Sequence, residues 1–256
     1  MAESIIMASG KTLLTTLSKA PFDVPLVLEK IENEKLAANL YHLGLYEQSV
    51  ITRLDESMEM YSVKIRGPKG EIVLGGGMGN KVIVHLDDGR RLPVLDMVSG
   101  ESGHVEGFSG GRSVVDTLEF LGIHEDDVIT MVRKLPHMNY VTRVVGRRRR
   151  VRMGEGDAAK LWGDMDGRHL QFSMASVGAG FMVRKVLGGR RAAKRMSAMG
   201  IWSGSELVLE QVEPADSVGF EGDGPVVIST DDGLHLHLQD RQGDSILVSV
   251  SESGGN

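Results

Sequence analysis

The chain has no cysteine, which removes disulfides, thiolate metal ligands, iron–sulfur ligation and cysteine nucleophiles together. It is poor in proline, with seven, and in aromatics, at 5%. An SH3-type reader of proline-rich peptides would therefore have few rings to line its groove. No stretch reaches the roughly 18 apolar residues that a membrane-spanning helix requires. The opening "MAESIIMASGKTLL" carries no basic residue ahead of its brief apolar stretch, unlike a secretory leader. A formal charge of −6 works against general nucleic-acid binding. These absences together predict a cytoplasmic protein with no membrane span and no specific nucleic-acid partner.

Glycine is what the chain has in quantity, 33 in 256 residues, and three of them mark a repeat. "YHLGLYEQSVI" from 41, "EFLGIHEDDVI" from 119 and "SAMGIWSGSEL" from 197 share one pattern, with Gly44, Gly122 and Gly200 at the same pitch. Ahead of each glycine, apolar residues recur at helical spacing: Leu36, Ala37, Leu40 and Leu43; Val114, Val115, Leu118 and Leu121; Ala192, Ala193, Met196 and Met199. Such a stripe predicts a short helix with one face on a core. The glycine that follows suits a left-handed helix end, and Leu45, Ile123 and Ile201 are placed to fold back onto it.

Strand patterns surround each corner. "PLVLEKI", "HVEGF" and "MVRKVLGG" precede the helices. Hairpins are expected at Gly67, Gly146 and Gly222, and "KVIVHL", "AKLWGDM" and "LHLHL" are expected to close the three units. A unit of this size, with one helix and about five strands, closes most simply as a small barrel, because closure removes exposed sheet edges. The expected fold is mainly β, with three tandem SH3-like small barrels, each with one short α-helix. The expected division is 1–90 with an N-terminal extension, 91–168, and 169–256 with a short flexible tail.

The run "LQFSMASVGAGFMVRKVLGGRRAAKRMSAMGIWSGSELVLEQV", residues 170 to 212, and the related "LEFLGIHEDDVITMV" resemble the FeoA family, small SH3-like barrels associated with bacterial ferrous iron uptake. The resemblance extends over about 13–88, 91–166 and 169–250. It implies a non-enzymatic cytosolic accessory that contacts the GTPase portion of a FeoB-type membrane transporter. A docking subunit of another metalloprotein complex, or a metal-binding protein, is the alternative reading. No helix pair of the DNA-reading kind is evident.

Two basic clusters are candidate partner surfaces: Arg147, Arg148, Arg149 and Arg150, with Arg152, near a hairpin turn, and Arg190, Arg191, Lys194 and Arg195 on the third helix. Arginine's planar fork suits phosphate or an acidic surface; a solvated turn and a solvated helix face are the plainer readings. His235 and His237, two apart on an expected strand, share one face and are the candidate transition-metal ligands. Leu234, Leu236 and Leu238 take the other face, which predicts that the histidines point to solvent. "GGGMGN" at 75–80 lacks the Lys and Ser/Thr of a phosphate loop and reads as a tight connection. No catalytic constellation emerges, and no cofactor is expected beyond a possible transition metal.

Overall fold

The computed structural model describes residues 14–56, 59–147, 150–215 and 226–251. In chain order the first stretch forms β1 (Thr15–Thr16), β2 (Pro25–Ile31), α1 (Glu34–His42) and β3 (Val50–Leu54). Then come β4 (Ser62–Gly67), β5 (Gly70–Leu74), α2 (Gly76–Gly79), β6 (Val82–Leu86), β7 (Arg91–Pro93), β8 (Ser102–Phe108), α3 (Arg112–Leu121) and β9 (Val128–Leu135). The middle continues with β10 (Met138–Val144), β11 (Arg150–Gly154), α4 (Glu155–Ala158), β12 (Leu161–Met165) and β13 (Arg168–Gln171). Last are β14 (Gly180–Val186), α5 (Gly189–Ala198), β15 (Glu206–Pro214), β16 (Val226–Ser229), β17 (His235–Leu238), α6 (Asp240–Gly243) and β18 (Ile246–Val250).

Among the described residues the protein is mainly β, in three six-stranded antiparallel sheets. Sheet 1 has the order β1-β18-β2-β3-β16-β17, sheet 2 β5-β4-β9-β8-β6-β7, and sheet 3 β11-β10-β15-β14-β12-β13. Each sheet therefore joins the second half of one sequence repeat to the first half of the next, and sheet 1 joins the two ends of the chain. The expected boundaries fall inside these sheets: 90/91 separates the paired strands β6 and β7, and 168/169 cuts β13. The middle repeat shows a physical reason. Only Pro136 and His137 lie between β9 and β10. Proline holds its own φ and keeps its predecessor extended, so the chain runs on into the neighbouring sheet rather than turning back.

The helix corners form as their residues predict. Gly44, Gly122 and Gly200 have φ of +86°, +82° and +79°. The N–H groups of Leu45, Ile123 and Ile201 donate at 2.9 Å to the carbonyls of Leu40, Leu118 and Met196, the Schellman pattern. All three apolar followers are buried. The three helix stripes each face their own sheet's apolar cluster, and in sheet 3 that cluster centres on fully buried Phe172 and Phe181, edge to face at 4.9 Å.

The expected β-rich architecture is present, while the strand ladders themselves stay open. No sheet pairs its first strand with its last, so none is a closed ladder among the described residues. The edges are managed by neighbours instead. β17 of sheet 1 lies against β7 of sheet 2, with a bridge between Leu234 and Arg91. Across the next seam, the Gln171 side chain of β13 bonds the backbone N–H and C=O of Val73 on β5. The remaining edges are a two-residue strand, β1, and the arginine-bearing β11, both common devices against unwanted pairing. One expectation is corrected, that for "LHLHL". It does not close the last unit; β18 does, while β17 is the hairpin partner of β16. The third hairpin turn expected at Gly222 lies outside the described residues.

Candidate metal centre between two sheets

Alternation on β17 buries Leu236 and Leu238 in the core of sheet 1 and sends His235 and His237 to the opposite face. That face is not solvent. Because β17 is an edge strand abutting sheet 2, His237 is buried at 5% exposure and His235 is half-buried. The seam is fastened beside them: Arg91 N–H donates to Gly233 O at 2.9 Å, and its guanidinium meets Asp232 at 2.6 Å.

Beyond β7 the chain turns, with Asp96 N–H donating to Pro93 O, while Val94 and Met97 are buried. The turn aims the Asp96 carboxylate at the two imidazoles. Asp96 Oδ2 stands 3.1 Å from His237 Nε2 and 3.6 Å from His235 Nδ1. It is buried and has no hydrogen-bond partner. Asn80, directly after α2, accepts from His237 Nδ1 at 2.7 Å and donates to the His237 carbonyl at 3.3 Å. With Nδ1 held by Asn80, Nε2 is the nitrogen turned toward Asp96, the outer-shell arrangement that orients a ligating histidine. On the other side, Glu56 Oε2 lies 3.4 Å from His235 Nε2, which is itself buried without a hydrogen bond.

The three donors can hold one metal ion. Two ligands of an ion at about 2.1 Å sit roughly 3.0–3.5 Å apart in octahedral or tetrahedral geometry; the Asp96–His237 separation of 3.1 Å falls in that range and the Asp96–His235 separation of 3.6 Å lies just beyond it. Burial holds His235 below its ordinary value of 6.5, against the opposing pull of Asp96, with His237 adding to the lowering and Glu56 opposing it. A neutral imidazole is the form that binds metal. Two nitrogens and one carboxylate suit ferrous iron or zinc. A buried carboxylate oxygen without a hydrogen bond is unfavourable, and a cation would remove that cost.

A second histidine group, His85, His104 and Glu106, lies on the face of sheet 2, with Glu106 Oε2 3.4 Å and 3.5 Å from the two rings. It is more open, and Arg91 already stands 3.8 Å from Glu106.

The structure divides the predicted basic clusters. Arg147 stacks on Trp202, 4.7 Å from the ring centre. Arg150 and Arg152 pair with Glu210 and Glu213 at 2.6 and 3.2 Å. Arg148 and Arg149 lie outside the described residues. Arg195 pairs with Asp157 at 2.6 Å. Lys194 is exposed on α5, and Arg190 and Arg191 turn toward a cavity between sheets 2 and 3. The histidines do not point to solvent as predicted, because their strand is an edge covered by another sheet. Sequence reasoning missed Asp96 and Asn80. Neither stands near His237 in the chain, and only the 78-residue pitch, which sets Asp96 against Met174, could have singled out the former.

Comparison with protein-family models, with curated proteins and with solved structures finds no match.

Proposed function

We propose that this chain is a non-enzymatic, cytosolic, transition-metal-binding accessory protein, in which Asp96, His235 and His237 hold one divalent ion at the seam between sheets 1 and 2. The observation that carries this reading is the buried Asp96 oxygen, without a hydrogen bond, set 3.1 and 3.6 Å from two imidazole nitrogens, one of them oriented by Asn80. The resemblance of its repeats to FeoA points to ferrous iron as the ion and to the GTPase portion of a FeoB-type transporter as the docking partner. Each sheet, wrapped on its own apolar cluster with a short helix, is proposed as an SH3-like small barrel assembled from two repeats.

The test is anaerobic titration of the full chain with Fe(II), with Co(II) as a coloured substitute. One ion per chain is expected, with imidazole-type Co(II) absorption that disappears in Asp96→Ala and His237→Ala. Equal metal retention by the parent and both variants would overturn the site. Affinity capture with a FeoB-type GTPase domain, with and without Fe(II), tests the docking half separately.

A further inference from the structure

Between sheets 2 and 3 lies a cavity of about 590 Å³, within the size range of small-molecule sites. Its floor is rigid. Gln171 is buried, and its amide is fully engaged with the backbone of Val73 and Ala159 at 2.7–2.8 Å. One wall is apolar, from Val114 and Leu121 of α3 and from Leu187. The two helices that frame it are tied together, since Gly188 N–H donates to Thr117 Oγ1 at 3.2 Å.

Four cations border the same space: Lys81, Lys160, Arg190 and Arg191. Lys160 is answered by Asp157 at 3.3 Å. Lys81, Arg190 and Arg191 make no ion pair with any described residue, although elsewhere in the chain exposed arginines such as Arg150, Arg152 and Arg195 find carboxylates. Burial, together with the Arg191 charge, holds the Lys81 ammonium below its ordinary value. Lys81 is half-buried and Arg190 and Arg191 are exposed, and the three like charges border one cavity, where they repel one another. A ligand with negative charge would relieve both the repulsion and the desolvation.

We infer that this cavity binds a phosphorylated small molecule of about nucleoside-monophosphate size, its phosphate held by Lys81, Arg190 and Arg191 and its apolar or aromatic body lying against the wall formed by Val114, Leu121 and Leu187. Guanidinium forks match phosphate oxygens in pairs, and Lys81 supplies a point charge from the inner side. The apolar wall separates this class from inorganic phosphate, which would leave it unfilled. The inference does not rest on the proposed metal site.

Calorimetric titration of the full chain in EDTA, which keeps metal from bridging to phosphate, tests the inference with AMP, GMP, adenosine and inorganic phosphate as probes. A mononucleotide is expected to bind at least tenfold more tightly than either adenosine or phosphate, and less tightly as salt rises. Lys81→Met and Arg191→Met should each weaken it about tenfold or more, whereas Arg150→Met, which removes an arginine outside the cavity, should leave it unchanged. A thermal melt of each variant shows that it is folded. Absence of mononucleotide binding, equal binding of mononucleotide and phosphate, or an equal loss in Arg150→Met would each overturn the assignment.

Discussion

The seam between sheets 1 and 2 and the seam between sheets 2 and 3 are built from corresponding places and filled with opposite chemistry. Asp96 in the first has Met174, 78 residues later, in the second. His237 and Val73 each stand two residues ahead of the N-cap of a four-residue helix, Gln239 for α6 and Gly75 for α2. Asn80 and Ala159 each directly follow such a helix, α2 and α4. At the second seam Val73, Ala159 and Met174 join Leu135 in an apolar cluster. The fold is thus served by an apolar cluster at these places, and the carboxylate, imidazole and amide at the first seam are not needed to fill space. Polar groups retained where apolar ones pack equally well point to binding rather than to stability.

The largest expected effect comes from removing a ligand at the polar seam. His237→Ala should weaken Fe(II) or Co(II) binding at least about 100-fold, equivalent to about 2.7 kcal/mol, and it should abolish the metal-induced rise in melting temperature. That rise amounts to about 2.7 kcal/mol of stability at 100 times Kd. Converting the apolar seam tests the comparison from the other side. Met174→Asp places a carboxylate among Val73, Leu135 and Ala159 with no histidine to answer it, and denaturant unfolding should register a loss of about 2 kcal/mol. An unchanged midpoint would mean the two places are not equivalent.

Asn80→Ala, which gives the first seam the residue found at the second, should lower metal affinity about tenfold by freeing the His237 ring, with metal titration as the readout. His104→Ala, in the open trio on sheet 2, should change metal affinity by less than about threefold, because Arg91 already partners Glu106 there. Loss of binding in His104→Ala and not in His237→Ala would move the site to the other trio.

The smallest effect contrasts half-buried Asp96 with a buried carboxylate. Glu155 accepts from Tyr140 Oη at 3.1 Å, and burial is the largest influence on it, raising it above its ordinary 4.5 against the opposing Tyr140 hydrogen bond and Arg133 charge. A raised value means the folded state holds the proton more tightly. Its contribution to stability is therefore full below pH 4.5 and fades as pH rises through the folded-state value. Glu155→Gln should flatten that decline in melts taken across mildly acidic to neutral pH.

Local features were legible in the residues. The helix stripes, the left-handed glycines and the backward fold of Leu45, Ile123 and Ile201 are decided within one turn of chain, and they form as read. The strands before the helices were equally plain. Two of the three candidate ligands were visible as well, in His235 and His237 two apart on a strand. Their surroundings were not, because a pattern of period two assigns a face and cannot say whether solvent or another sheet lies beyond it.

By itself the sequence determined the threefold repeat, its helix corners and its small β-rich cores, because helix periodicity, strand alternation and the conformational freedom of glycine act between near neighbours. Only the tertiary structure decided which half-repeats share a sheet, since a short link such as Pro136–His137 leaves that choice to the packing of strands far apart in the chain. The same packing brought Asn80 and Asp96 to a histidine more than 140 positions away, and no local pattern encodes that meeting.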